Sequence, residues 1–496
     1  PQIGSAALAP PAVTEYLFSA ARCNMSRLEL IWEPLSSFAI GLTTHEAAAV
    51  RMYAVRAFTS FLTEALQDAE PALHPQVLGA FRRLASSKFE DTHLNALSAL
   101  LEALQGVGET FDASHAGWPV VLDILGDGVY HAQHAASPTF GASVLALSFR
   151  CVQFVLADFL EFVPADSLDE LVAVVGAYAA QSVEVNISLT AVGALWRIAD
   201  YLKSPAAPAA DRHWIAVFGE LGKLAMSSAA ETRNCAVRTL FKTLTTHGLC
   251  LSLDGWASLL PDVVFAVLRH AQAALVALDA ADAAPDSAEA AAGATPYLEA
   301  TSSGDKPSFV RVHHSRDTPA KLWRESLTLI LEGLVSIYRS LLGALAQVGS
   351  EAEVALFWSE VLDALQSAAA GAAASGASKN LCMVGARGLL FVVASLDKVG
   401  AETPLCAALY AAWWEALRRA AGFALGGNGT FFMTYEDFVL HFTGLDLCRV
   451  IDDTWFSRSM LGSWSVRSGP RGQPQHNPAL HVRVSLTAAA ATCAGA

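Results

Sequence analysis

Charge is the scarcest ingredient of this chain. Only 16% of its 496 residues are Asp, Glu, Lys or Arg, against roughly 25% in an ordinary soluble domain. The balance is also acidic, with a formal net charge of −15. A nucleic-acid backbone demands clustered Lys and Arg, so this balance excludes nucleic acid as the main partner. Cysteine is sparse and scattered: there are eight, no C-x-x-C, and the nearest two, Cys235 and Cys250, are fifteen residues apart. That pattern excludes a disulfide framework and predicts a reducing, cytosolic setting. In such a setting the sequons at Asn24, Asn186 and Asn428 are chance matches, because glycosylation requires a secreted chain. Long uncharged apolar runs are missing too. Leu171 to Val183 and Gly388 to Leu396 fall short of the roughly 20 residues that span a bilayer, so no transmembrane segment is expected. The chain opens on Pro1 with no basic region leading into an apolar one. The expectation is therefore no signal peptide, and an internal or C-terminal piece of a longer protein.

What the chain has in excess is alanine within a hydrophobic fraction of 53%, and alanine favours helix and tight helix contacts. Apolar residues recur at helical spacing. Val185, Leu189, Val192, Trp196 and Ala199 step by four, three, four and three, while Ile187, Ala194, Ile198 and Tyr201 form a second face. A helix apolar on two faces sits between neighbours, so Trp196 is expected to be buried, and its truncation to cost roughly 3–5 kcal/mol. Strand signals are weak, with no Asn-Gly or Asp-Gly turn set between two alternating runs. A repeat is visible: Arg51-Met-Tyr-Ala-Val-Arg-Ala-Phe58 matches Arg233-Asn-Cys-Ala-Val-Arg-Thr-Leu240. Similar helices start near Gly141, Glu184 and Glu231, giving a period of roughly 40 to 47 residues, the HEAT or armadillo spacing.

The predicted fold class is all-α, a HEAT/armadillo-like α-solenoid of stacked antiparallel helix pairs, since one pair alone leaves an apolar face uncovered. The expected organisation along the chain is a disordered edge at 1–14, a HEAT-like array at 15–278 and a flexible insert at 279–314. A second helical array follows at 315–450, and a poorly ordered tail at 451–496.

Catalytic and cofactor motifs are missing. No G-x-x-x-x-G-K-[ST] loop, G-x-S-x-G elbow or H-E-x-x-H occurs, and Gly426-Gly-Asn-Gly429 lacks the strand that a dinucleotide site needs. No cofactor, no metal and no catalytic residue is assigned, and the chain is read as not an enzyme. His131 and His134 share a helix face without a third ligand nearby, and the adjacent His313 and His314 diverge. Asp158, Glu161, Asp166, Asp169 and Glu170 cluster at a helix boundary and read as a solvated, capping face. Trp118, Trp196 and Trp256 read as packing anchors.

One segment differs. Lys306, Arg311, Arg316, Lys321 and Arg324 are opposed within it only by Asp317, inside an acidic chain. It reads either as an ordinary charged helix start beside a loop, or as a face for an acidic partner or anionic lipid headgroups. On the second reading Arg311, Arg316, Lys321 and Arg324 are the candidate docking residues, and Trp323 anchors the helix.

Several segments together resemble one family. They are Cys23-Asn-Met-Ser-Arg-Leu-Glu-Leu-Ile-Trp32, Gly106-Val-Gly-Glu-Thr110 with Gly117-Trp-Pro-Val-Val-Leu122, and Val155-Leu-Ala-Asp-Phe159. To these add Glu184-Val-Asn-Ile-Ser-Leu-Thr190 with Gly193-Ala-Leu-Trp-Arg-Ile-Ala-Asp-Tyr201, then Arg238 to Gly248, and Ser315-Arg-Asp-Thr-Pro-Ala-Lys-Leu-Trp-Arg-Glu325. Over about residues 15 to 400 the chain resembles the C-terminal half of the Mon-two (monensin sensitivity) family, which is related to the large Arf exchange factors but lacks their Sec-seven domain. The resemblance implies a scaffold of vesicle traffic at the trans-Golgi network and endosomes, bound peripherally to their membranes. It implies Dopey-type proteins, a phospholipid flippase and Arf-like GTPases as partners. The alternative is the regulatory C-terminal helical array of a large Arf guanine-nucleotide exchange factor whose catalytic domain lies outside this chain.

Overall fold

The computed structural model describes residues 10–68, 70–107, 117–205, 207, 210–282, 318–348, 350–370, 379–399, 403–421, 430–433 and 482–485. Its contacts form two compact units, Pro1–Thr239 and Leu240–Ala496.

The first unit is built from α1 (Pro10–Arg22), α2 (Leu28–Thr43), α3 (Ala48–Asp68), α4 (His74–Ala85), α5 (Glu90–Val107) and α6 (Gly117–Gln133). It continues through α7 (Pro138–Phe154), α8 (Ala165–Ala180), α9 (Val185–Leu202), α10 (Asp211–Ala225) and the start of α11 (Ala230–His247). Even-numbered helices pack on one another in one layer, α2 on α4 on α6 on α8 on α10, and odd-numbered ones form the other, α3 on α5 on α7 on α9. Helices in sequence, such as α6 with α7 and α8 with α9, pair across the layers. The odd helices from α3 to α11 start 42 to 48 residues apart, which is the spacing the sequence repeat predicts. The fold class is all-α, HEAT/armadillo-like.

The reason for the repeat is visible at the fourth residue of α3 and α11. Arg51 sends Nη1 to the carbonyls of His45 (2.8 Å) and Glu46 (3.2 Å), and Arg233 sends Nη1 to those of Ser227 (2.8 Å) and Ser228 (3.1 Å). Each guanidinium thus ties down the turn before its own helix, six and five residues upstream. Such a tight connection leaves carbonyls without an intrahelical donor, and the guanidinium supplies one. Arg51 also holds Asp91 of the next odd helix in a fork, Nε to Oδ1 at 2.9 Å and Nη2 to Oδ2 at 2.7 Å, geometry that suits a planar guanidinium. His93 occupies the equivalent place in α5 and hydrogen-bonds the backbone of Ser87, again six residues back. Ser188 does the same work in α9 by bonding the Ala179 carbonyl and the Thr232 hydroxyl, the latter at 2.9 Å.

The face of α9 differs from the expected stripe. Its buried residues are Ser188, Ala191, Val192, Leu195, Ile198, Ala199 and Leu202. Val185 is exposed, and Leu189, Trp196 and Tyr201 are only half-buried. The expected stripe omitted Leu195 and was rotated by about one position, which moved Trp196 from the rim to the centre. Trp118 and Trp256, by contrast, are buried, at 0% and 2% exposure.

The second unit holds the rest of α11, α12 (Leu253–Leu259), α13 (Phe265–Asp282), α14 (Pro319–Leu345), α15 (Glu351–Ala370), α16 (Lys379–Val392) and α17 (Pro404–Ala421). Here α13 packs on α14, α14 on α16, and α15 on both α16 and α17. Gly333 in α14 lets the Phe241 ring approach, since a Cβ there would stand 2.1 Å from Phe241 Cγ. Past the last described helix, Thr430–Met433 pairs antiparallel with Val482–Ser485, so two short strands lie where helix and irregular tail were expected. Most of the insert and tail fall outside the described residues, although Asp279 to Asp282 complete α13.

The expectation of no membrane-length segment needs correction. Three helical stretches, Pro138–Phe159, Leu253–Ala280 and Pro319–Leu345, are long and apolar enough by length and composition to cross a membrane. Counting only uncharged runs missed them, because a helix can carry a few charged residues, as Arg150 and Asp158 in the first stretch, and stay apolar on average. Between 39% and 61% of the residues in their most apolar parts are buried inside the fold.

Candidate docking site

The basic signature opens α14. Thr318 caps the helix, its hydroxyl accepting from the Lys321 amide at 3.3 Å. Pro319 follows at the first turn, where its fixed φ suits a helix start and its missing N–H costs nothing. That local chemistry sets Lys321, Trp323 and Arg324 within the first two turns of α14. Arg311 and Arg316 lie outside the described residues, as do Lys306, His313 and His314.

Of the candidate docking residues that are described, Arg324 is engaged within the unit. Its Nη2 donates to Asp279 Oδ1 at 2.9 Å, linking the start of α14 to the last turn of α13. Trp323 lies against His270 of α13, with ring centroids 5.4 Å apart, in the anchoring position expected of it. The Arg324 to Asp279 bond also answers why cations stand at a helix N-terminus, where the macrodipole opposes them. Lys321 is half-exposed.

Other sequence candidates resolve into structure. Asp166 accepts from Arg212 Nη2 at 3.0 Å and Asp169 meets His213 Nδ1 at 2.7 Å, joining α8 to α10. Burial, with Asp123 close by, pushes the Glu170 carboxyl above its usual range. His131 stands edge-on to His93, with ring centroids 5.1 Å apart, and His134 stacks on Tyr130 at 4.2 Å. Among the described residues no group of three or more His, Cys, Asp or Glu could hold a metal ion.

Two of the segments that carried the family resemblance, Val155–Phe159 and 184–201, meet in space. Val155–Phe159 is a π-helical turn closing α7, a form that often marks functional sites. Leu156 of this turn and Arg197 of α9 line two adjoining hollows. One is bounded by Phe149, Thr190 and Gly193, the other by Asp158, Glu161, Asp200 and Tyr201. A Cβ on Gly193 would meet nothing within 4 Å, so this part of α9 faces open space. Sequence alone gave the segments but not their meeting.

Comparison with known proteins agrees with the residues. A family model described as the C-terminal region of Mon2 protein matches residues 157–206 and 203–381. A Mon2 homologue of Xenopus laevis is 29% identical over 391 residues, covering 71% of this chain and 21% of that protein. The Homo sapiens homologue is 27% identical over the same shares, and the monensin-resistant homolog 2 of Caenorhabditis elegans is 23% identical over 65% of this chain and 18% of its own length. The chain thus spans about a fifth of the length of these relatives. Among solved structures, importin beta aligns at a TM-score of 0.24 and 11% identity, over 79% of this chain and 53% of that one. The fold assignment rests on the chain's own helices. Over residues 157–381 the chain is similar to the C-terminal region of Mon2 proteins.

Proposed function

We propose that this chain is a non-enzymatic scaffold in vesicle-mediated protein traffic between endosomes and the trans-Golgi network, acting through protein–protein contacts. The observation that carries the reading is the match to Mon2 homologues over 71% of the chain. The chain's helices are stacked, and polar side chains, Arg51, Ser188 and Arg324 among them, hold helix to helix. The partners proposed from the resemblance are Dopey-type proteins, a phospholipid flippase and Arf-like GTPases. The proposed location is the cytoplasmic face of trans-Golgi and endosomal membranes. Within the basic signature Arg311, Arg316, Lys321 and Arg324 are the residues proposed to dock an acidic partner or anionic membrane, Arg324 being also bonded to Asp279.

The test is charge reversal of Arg316 and Lys321 to glutamate in a tagged chain. Recruitment to Golgi and endosomal membranes is expected to be lost while the melting temperature holds. A variant that unfolds assigns the two residues to structure, and a folded variant that localises normally refutes docking through this face. On the enzymatic side, the purified chain is expected to leave nucleotide release from an Arf-family GTPase at its uncatalysed rate; a clear acceleration would overturn the scaffold reading.

A further inference from the structure

A second basic feature, remote in sequence from the α14 start, lies in the middle of the second unit. Glu332, Val335, Ser336, Arg339 and Ser340 of α14 face Val384, Arg387, Gly388 and Phe391 of α16, and Lys398 of the 3₁₀ turn Val393–Val399 closes one end. Together they line an open cavity of about 570 Å³. Its charged lining is three cations against the single carboxylate of Glu332, in a chain whose overall charge is −15. Arg339, Arg387 and Lys398 are all exposed residues of this lining.

The cavity is held in shape by its own neighbours. The Arg339 guanidinium sits over the Phe391 ring, 5.1 Å from its centroid, which orients its fork of donors. Lys398 Nζ donates to the Arg339 carbonyl, tying the 3₁₀ turn to α14 and fixing a third positive charge beside it. Gly388 lets α16 approach closely, since a Cβ there would meet Leu365 Cδ2 at 2.5 Å and Val335 Cγ2 at 3.0 Å. The Ser340 hydroxyl adds a neutral donor to the same wall, while Ser336 Oγ stands 3.5 Å from Thr245 Oγ1.

The geometry points to a site for a compact phosphorylated anion, held by Arg339, Arg387 and Lys398 with the Ser340 hydroxyl. Guanidinium forks match phosphate oxygens in pairs, and a lysine supplies a point charge without direction. The volume lies within the 300–1,000 Å³ of small-molecule sites. A phosphorylated inositol fits that chemistry, and it can come free in solution or as a lipid headgroup.

Isothermal titration of the whole chain with inositol hexakisphosphate tests the free source. Sedimentation with phosphatidylcholine vesicles carrying phosphatidylinositol 4-phosphate tests the lipid source. Saturable binding in either arm is expected to fall at least tenfold in Arg387→Gln/Lys398→Gln and to weaken steeply with added salt. Because Lys398 also bonds the Arg339 carbonyl, Ser340→Glu serves as a second variant that touches only the exposed wall. It is expected to weaken binding by a similar factor with an unchanged melting temperature. Tight binding to the soluble compound assigns a free ligand, and binding to vesicles alone assigns the headgroup. No binding in either arm, or binding equal in wild type and Ser340→Glu, overturns the site.

Discussion

Truncating Trp358 to alanine is expected to destabilise the second unit by about 3–5 kcal/mol, the range for removing a large aromatic from a packed core. Trp358 is fully buried, on α15. Its ring lies 5.7 Å from that of Tyr338 on α14, and its Nε1–H donates to the Leu409 carbonyl of α17 at 2.8 Å. One side chain thus touches three helices. Alanine would leave a void among them and a helical carbonyl without its extra donor. Trp358→Phe separates the two losses: it keeps most of the apolar volume and gives up the hydrogen bond, for about 1–2 kcal/mol. Urea unfolding followed by circular dichroism reads both. A cost below about 1 kcal/mol for the alanine variant would mean that α14, α15 and α17 do not close around this ring. Trp196→Ala is the internal comparison. Its ring is only half-buried, so its cost should be no more than about half that of Trp358→Ala, and the 3–5 kcal/mol expected from its sequence pattern does not apply.

That comparison shows where sequence reading reached and where it stopped. The repeat was legible because Arg51 and Arg233 answer the same local need, a donor for carbonyls six and five residues upstream. A local need leaves a local pattern. The period from α3 to α11 followed from it. The burial of Trp196 was not legible, because a helix apolar on several sides fixes its period but leaves its rotation to neighbours outside the window. The same limit hid the role of Arg324. Its partner Asp279 is 45 residues away, across the insert, and nothing in the segment from Lys306 to Arg324 announces it. The basic cavity was invisible for a related reason. Arg339, Arg387 and Lys398 come from three separate elements, each of which reads alone as an ordinary exposed cation. The family-bearing segments Val155–Phe159 and Gly193–Tyr201 were picked out by pattern, yet only packing of α9 beside the end of α7 brings Leu156 and Arg197 to shared hollows.

His93 sets the second large effect, an acid sensitivity of the first unit above the range where carboxylates titrate. The imidazole takes the repeat position that holds arginine in α3 and α11, but it is buried, at 2% exposure. Its Nε2 has no hydrogen-bond partner, and the ring stands edge-on to His131 and Phe140. Burial, reinforced by repulsion from His131, pulls its pKa down from 6.5 to about 4. Between those two values the unfolded chain binds a proton that the folded chain refuses, so stability falls as pH drops through this window. A shift of this size corresponds to about 3 kcal/mol when complete, as an order of magnitude. Asp91 and Glu64 act lower down: arginine partners hold both carboxyls below their usual values, so their contribution is kept above the carboxylate range and lost only beneath it. Glu170, raised by burial, works in the opposite sense and gains as pH falls. The measurement that isolates His93 is therefore a difference. His93→Gln keeps a neutral donor for the Ser87 backbone and cannot take up a proton in this range. Unfolding free energies of wild type and His93→Gln should run apart steadily from pH 6.5 to pH 4, wild type losing up to about 3 kcal/mol more. Parallel curves across that window would mean that His93 is protonated in the fold, and that its position in α5 is open to water.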